Sequence, residues 1–167
     1  MKNSLFLLLI IVSSLNIKAQ ESDVTTFYFI RHAEKVRTDK TTKNPNLTQK
    51  GLERAENWSV VFKSVNFDLV YSTNYNRTIQ TATPTAKSKN LKIQFYNPRE
   101  LYNEDFKLET KGKTVLIVGH SNTTPIFVNK VLGIEKYADI DDRNNSNLYI
   151  VTTSSTLITD TLLKIEH

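Results

Sequence analysis

Two short apolar runs, Phe27-Tyr-Phe-Ile30 and Val115-Leu-Ile-Val118, constrain this chain of 167 residues more than any other feature. Neither alternates with polar residues, so each suits a strand covered on both faces, as in the middle of a parallel sheet. Both lead directly to a histidine: the first run gives way to Arg31-His32, the second to Gly119-His120. Open parallel sheets place their ligand crevice outside the carboxyl ends of the strands. The chain holds three histidines, and the third is the terminal His167. Both internal imidazoles are therefore expected at a crevice.

Around these runs, strands alternate with helices. The spacing predicts a strand over Thr26–Ile30, a loop to Leu47, and a helix N-capped by Thr48 in which Leu52, Ala55, Trp58 or Ser59, and Phe62 recur until about Ser64. Phe67–Tyr71 reads as a second strand. Ser72-Thr73-Asn74 then caps a helix carrying Ile79, Ala82 and Ala86, which Pro84 should kink or end. Leu91–Tyr96 suggests a third strand, and Asn97–Lys113 is polar with no assignable pattern. Thr114–Gly119 is the clearest buried strand; Pro125 suits the first turn of a helix through Val131 that Gly133 closes. Asn147–Thr153 and Ser155–Ile165 resemble a closing hairpin. The expected architecture is α/β, a three-layer sandwich around a mainly parallel sheet, in one domain over residues 20–167.

The first residues read differently. Lys2 precedes the apolar Leu5–Val12, followed by Ser13-Ser14 and the small Ala19, the pattern of a signal peptide over residues 1–19. Its apolar stretch is far shorter than the roughly 20 residues that span a bilayer, so no stable membrane insertion is expected after processing. The chain has no cysteine, which excludes a disulfide and a lipid-modified leader. Asn-x-Ser/Thr triplets begin at Asn46, Asn57, Asn76, Asn122 and Asn144, and a glycan at some of these would block the crevice. A bacterial periplasmic or secreted location is the reading that fits. Without Lys2 and Lys18, 20 basic residues stand against 17 acidic ones. The lysines are scattered, with no basic helix or arginine run, so no nucleic-acid partner is expected.

The second strand leads through Ser72-Thr73 to Arg77 at the start of a helix, so three strand ends carry two arginines and two histidines. A zinc site usually takes three or four protein ligands, whereas this sequence has no cysteine and no H-x-x-x-H pair, and the arginines would repel a cation. Neither metal nor cofactor is expected. Planar guanidinium forks match phosphate oxygens, and the set describes a pocket for a dianion.

These segments carry a resemblance. Arg31-His32-Ala33-Glu34, Pro45-Asn-Leu-Thr-Gln-Lys-Gly51-Leu-Glu-Arg-Ala55, Tyr71-Ser-Thr-Asn-Tyr-Asn-Arg77-Thr-Ile-Gln-Thr81-Ala82 and Val118-Gly-His120-Ser-Asn-Thr123 together resemble the histidine phosphatase superfamily, which contains phosphoglycerate mutases and bacterial phosphohistidine phosphatases. The resemblance implies a phosphoglycerate mutase-like fold and a phosphatase working on a small phosphorylated substrate or a phosphoprotein. It implies that His32 becomes phosphorylated and that Arg31, Arg77 and His120 hold the phosphoryl oxygens. Ala33 stands where the family most often has glycine. For the general acid it points to Glu100, although the glycine-rich continuation expected there is missing; Glu104, Asp105 and Glu34 are the alternatives. Mutase chemistry is the runner-up, with little chain available to enclose a bisphosphoglycerate, and a non-catalytic anion-binding module is the third reading. Substrate choice is expected to lie in Val36–Asn46 and Asn97–Lys113.

Overall fold

Six strands, β1 (Thr25–Arg31), β2 (Leu69–Ser72), β3 (Ile93–Phe95), β4 (Thr114–Gly119), β5 (Asn147–Thr153) and β6 (Ile158–Lys164), form one sheet in the order β3-β2-β4-β1-β5-β6. The first four in that order run parallel, and β5 and β6 add an antiparallel edge. The computed structural model describes residues 24–38 and 41–166, so the leader expected over residues 1–19 lies outside the described residues. No helix among the described residues is long and apolar enough to cross a membrane.

The apolar runs do what their lack of alternation requires. Phe27, Phe29, Val115 and Ile117 join Phe106 and Phe127 in one core, while Ile30, Leu116 and Val118 join Trp58, Phe62 and Ala82 in another. Helices α1 (Gln49–Val61) and α2 (Asn76–Ser88) supply the second layer; α3 (Glu104–Thr110) and α4 (Thr123–Leu132) supply the first. Burying each such large side chain contributes about 1.5–3 kcal/mol. The sheet is therefore sandwiched, and its carboxyl edge is left to the loops.

Several local expectations hold. The Thr48 hydroxyl accepts from the Gly51 N–H at 3.0 Å, and Gly133 closes α4 with φ of 71°. Others need correction. Helix α1 ends at Val61, with Leu52 exposed and Arg54 buried instead. A Cβ at Gly51 would collide with the Glu34 carbonyl, so this helix face packs against the loop after β1. Pro84 lies inside α2, which continues to Ser88. The stretch Asn97–Lys113 contains α3, N-capped by Asn103, whose side chain accepts from the Phe106 N–H at 2.9 Å. Asn74 caps nothing: α2 starts after Tyr75, and the Asn76 N–H donates to the Asn44 Oδ1 at 2.8 Å. A loop 32 residues upstream serves that helix end, a contact no local pattern encodes.

Candidate active site

β1 and β4 are hydrogen-bonded in register, with Arg31 opposite Gly119. The residues that follow them, His32 and His120, consequently emerge together, their rings 5.6 Å apart between centroids. The His32 N–H donates to the Gly119 carbonyl at 2.9 Å, the Asn145 side-chain amide donates to the His32 carbonyl at 2.8 Å, and the Ala33 N–H donates to Thr81 Oγ1 at 2.9 Å. That backbone is clamped from three sides. Nδ1 of His32 lies 2.7 Å from the Ala33 carbonyl oxygen. A carbonyl only accepts, so Nδ1 carries the proton and Nε2 keeps its lone pair.

The companion imidazole is held otherwise. Arg77 Nη2 lies 3.4 Å from Nδ1 of His120 and Thr73 Oγ1 lies 2.9 Å from Nε2. A guanidinium only donates, so Nδ1 accepts and Nε2–H donates to Thr73. Thr73 is itself buried against Thr78, with the two hydroxyls 3.0 Å apart. Burial, then the Arg31, His120 and Arg77 charges, take His32 down to about 3 against the opposing pull of the Ala33 carbonyl. Burial and then Arg77, Lys35 and Arg31 take His120 down to about 4. Both rings are neutral at pH 7.

The two arginines differ. Arg31 directs Nη1 to the carbonyls of Asp141 and Asn144 at 2.8 and 2.9 Å, and Nη2 to Asp142 Oδ1 at 2.6 Å, leaving Nε buried without a partner among the described residues. Arg77 leaves Nε and Nη1 buried and without a partner among the described residues, with its guanidinium 4.5 Å above the Tyr75 ring. An unpaired buried donor costs about 1–3 kcal/mol. An oxyanion between these arginines and His32 would satisfy such donors.

Arg31, His32, Arg77 and His120 line one cavity of about 320 Å³ together with Lys35, Tyr75, Pro98, Ser121, Asn122, Thr123 and Asp142. The first turn of α4 thus adds the positive end of its dipole. Of the acid candidates, none lines this cavity. Glu100 and Asp105 border a neighbouring cleft with Tyr71 and Tyr96. Glu104 pairs with Lys107 at 2.8 Å. Glu34 binds Arg54 through three contacts of 3.0 Å. The one carboxylate present is Asp142, which sequence reasoning missed along with Lys35, Thr73 and Asn145. Arg37 and Arg31 both bind it and hold it well below the usual carboxylate range. A motif search could have noticed Lys35, three residues after His32; Asp142 sits over a hundred residues away with no marker.

The site thus sets a pair of neutral imidazoles between two guanidinium forks at the carboxyl edge of the parallel strands of an α/β sandwich. Residues 27–98 match the family model of the histidine phosphatase superfamily (branch 1). No curated protein matches it by sequence. Among solved structures it is similar to a phosphoglycerate mutase of Bacillus anthracis (16% identity, 86% of this chain and 94% of that one, TM-score 0.63). It is similar to a protein assigned as the phosphohistidine phosphatase SixA of Agrobacterium tumefaciens (18% identity, 84% and 99%, TM-score 0.61). A phosphoserine phosphatase of Entamoeba histolytica solved with 3-phosphoglyceric acid is also similar (17% identity, 85% and 98%, TM-score 0.60). At such identities the likeness is one of fold.

Proposed function

We propose that this protein is an exported phosphatase that needs no metal and hydrolyses phosphate monoesters or phosphoramidates through a phosphohistidine on His32. The observation that carries the reading is the His32 ring: its Nδ1 proton is tied to the Ala33 carbonyl at 2.7 Å, which frees Nε2 to attack. Arg77, with two unpartnered donors, and His120 stand where transferring phosphoryl oxygens would lie. Fixed guanidinium charge does for that group what a metal does elsewhere. Water then hydrolyses the phosphohistidine. The substrate class is a small phosphorylated molecule or a phosphoprotein side chain. Export rests on the leader pattern of residues 1–19, and N-terminal sequencing of the protein from its native host should find a chain beginning at Gln20.

The test is turnover of para-nitrophenyl phosphate by the mature chain in the presence of a chelator, with acid-labile label trapped on the enzyme by rapid quench. His32→Ala should remove the label and lower the rate by on the order of 10⁴-fold or more, the scale set when a nucleophile is deleted. Activity that disappears with the chelator, or survives in His32→Ala, would contradict the proposal. Phosphate transferred to a second hydroxyl instead of released would favour a mutase.

A further inference from the structure

A phosphoryl group leaves an alcohol readily only if the departing oxygen receives a proton. The cavity supplies few candidates. His32 is the attacking base, and both nitrogens of His120 are occupied by Arg77 and Thr73. Arg31 and Arg77 do not deprotonate in proteins. Asp142, gripped by Arg31 at 2.6 Å and by Arg37 at 2.5 Å, is ionised and faces cations. Glu34, Glu100, Glu104 and Asp105 are absent from the lining.

Lys35 remains. It lies three residues after His32, its backbone is fixed by an isolated bridge to Leu47, and it is part of the cavity wall beside Arg31, Arg77, His120 and Asp142. Among the described residues its ammonium has no ion pair or hydrogen bond. Resting on the phosphatase reading above, we propose that Lys35 is the general acid of this site, delivering its proton to the leaving-group oxygen. As the His32 Nε2–P bond forms, the P–O bond breaks and its electron pair passes to that oxygen, which takes the proton from Nζ and departs as the alcohol. The neutral amine then receives a proton from the water that attacks phosphorus as the P–Nε2 bond breaks, so phosphate, neutral His32 and the Lys35 ammonium are restored. Burial, then the Arg77 and Arg37 charges, with Arg31 acting the same way and only Asp142 opposing, lower the proton affinity of Lys35 from the ordinary lysine range. That direction improves a proton donor.

The experiment measures kcat/KM over a series of phosphate monoesters, from para-nitrophenyl phosphate, whose leaving group needs no proton, to simple alkyl phosphates. Lys35→Met should cost on the order of 10²-fold or more on the alkyl esters and about tenfold or less on the aryl ester. Lys35→Arg, which keeps the charge but not the transferable proton, should rescue the aryl ester only, and the fall of alkyl-ester kcat/KM at alkaline pH should vanish with it. Equal losses across the series, full rescue of alkyl turnover by Lys35→Arg, no loss at all, or the selective loss appearing in Tyr75→Phe instead would overturn the assignment. A parent protein inactive even on para-nitrophenyl phosphate would sink the phosphatase reading itself, and Lys35 with it. An active parent with insensitive Lys35 variants would sink only Lys35.

Discussion

The ends of β1 and β4 lie side by side, each an apolar strand followed by an imidazole, yet the two ends are held in opposite ways. At β1 the backbone does the work: His32 is bonded to Gly119, Asn145 and Ala33, and its Nε2 remains open. At β4 side chains do it: Arg77 and Thr73 occupy both nitrogens of His120. On the proposed function, the difference would divide two residues of one type into an attacking group and a binding group. A ring whose two nitrogens are both hydrogen-bonded has no open lone pair with which to attack phosphorus, whereas a ring fixed through one nitrogen is aimed and keeps the other free. Placing a nucleophile on rigid backbone suits a step in which a small misplacement lowers the rate by on the order of 10²-fold.

The comparison breaks most sharply at Arg77, which serves the β4 side. Arg77→Ala should leave the fold intact by circular dichroism and lower kcat/KM by on the order of 10²–10³-fold, the scale for one preorganised charge donor. A loss under tenfold would mean that Arg31 alone holds the phosphoryl group.

A smaller effect is expected at Thr73. Thr73→Val keeps the shape but removes the acceptor of the His120 Nε2–H, and a lost hydrogen bond of about 1 kcal/mol corresponds to a several-fold fall in rate. If His120 binds and does not attack, as proposed, the loss should fall on KM as well as kcat, and the trapped phosphoryl enzyme should persist. Disappearance of that intermediate would mean that the two imidazoles share the chemical step.

The gentlest probe is pH. In the unfolded chain both imidazoles titrate near the ordinary 6.5, and in the fold at about 3 and about 4. Between those values the unfolded chain binds more protons, so stability is complete above about pH 6.5 and falls as pH drops toward 4. The melting temperature should therefore decline over that window. By NMR neither ring should titrate between about pH 5 and 8; a transition near 6.5 in His32 would show that its ring is solvated.

How much of this was legible depends on the range over which each contact is made. The β1 and β4 strands, the Thr48 cap, the Gly133 stop and the closing hairpin all follow from residues close in sequence, and the structure places them within a residue or two, except that the last strand starts at Ile158, three residues later than expected. Pro84 misled because its missing N–H is a local cost that a packed helix tolerates, with Ala82 and Ala86 anchoring it to the core. Helix α3 escaped because only Phe106 and Thr110 face inward on seven residues, too few turns for a period to emerge. Arg31, His32, Arg77 and His120 were nameable in advance, since each ends or follows a strand or lies in the first turn of a helix. Glu100 was named with them, but a carboxylate on a loop has its direction set by the packing around it, and that loop turns it into the neighbouring cleft.

By itself, the sequence determined the sandwich and the charge of the proposed site: continuous apolar runs must be covered on both faces, and two arginines beside two histidines make the crevice cationic. What only the tertiary structure decided is the division of labour. Which imidazole nitrogen stays open, that Asp142 occupies Arg31 from across the sheet, and that the acidic candidates stand outside while Lys35 stands within all depend on loops meeting over more than a hundred residues of chain in some cases. Hydrogen bonds act over about 3 Å, so their partners are chosen by the fold that brings them together.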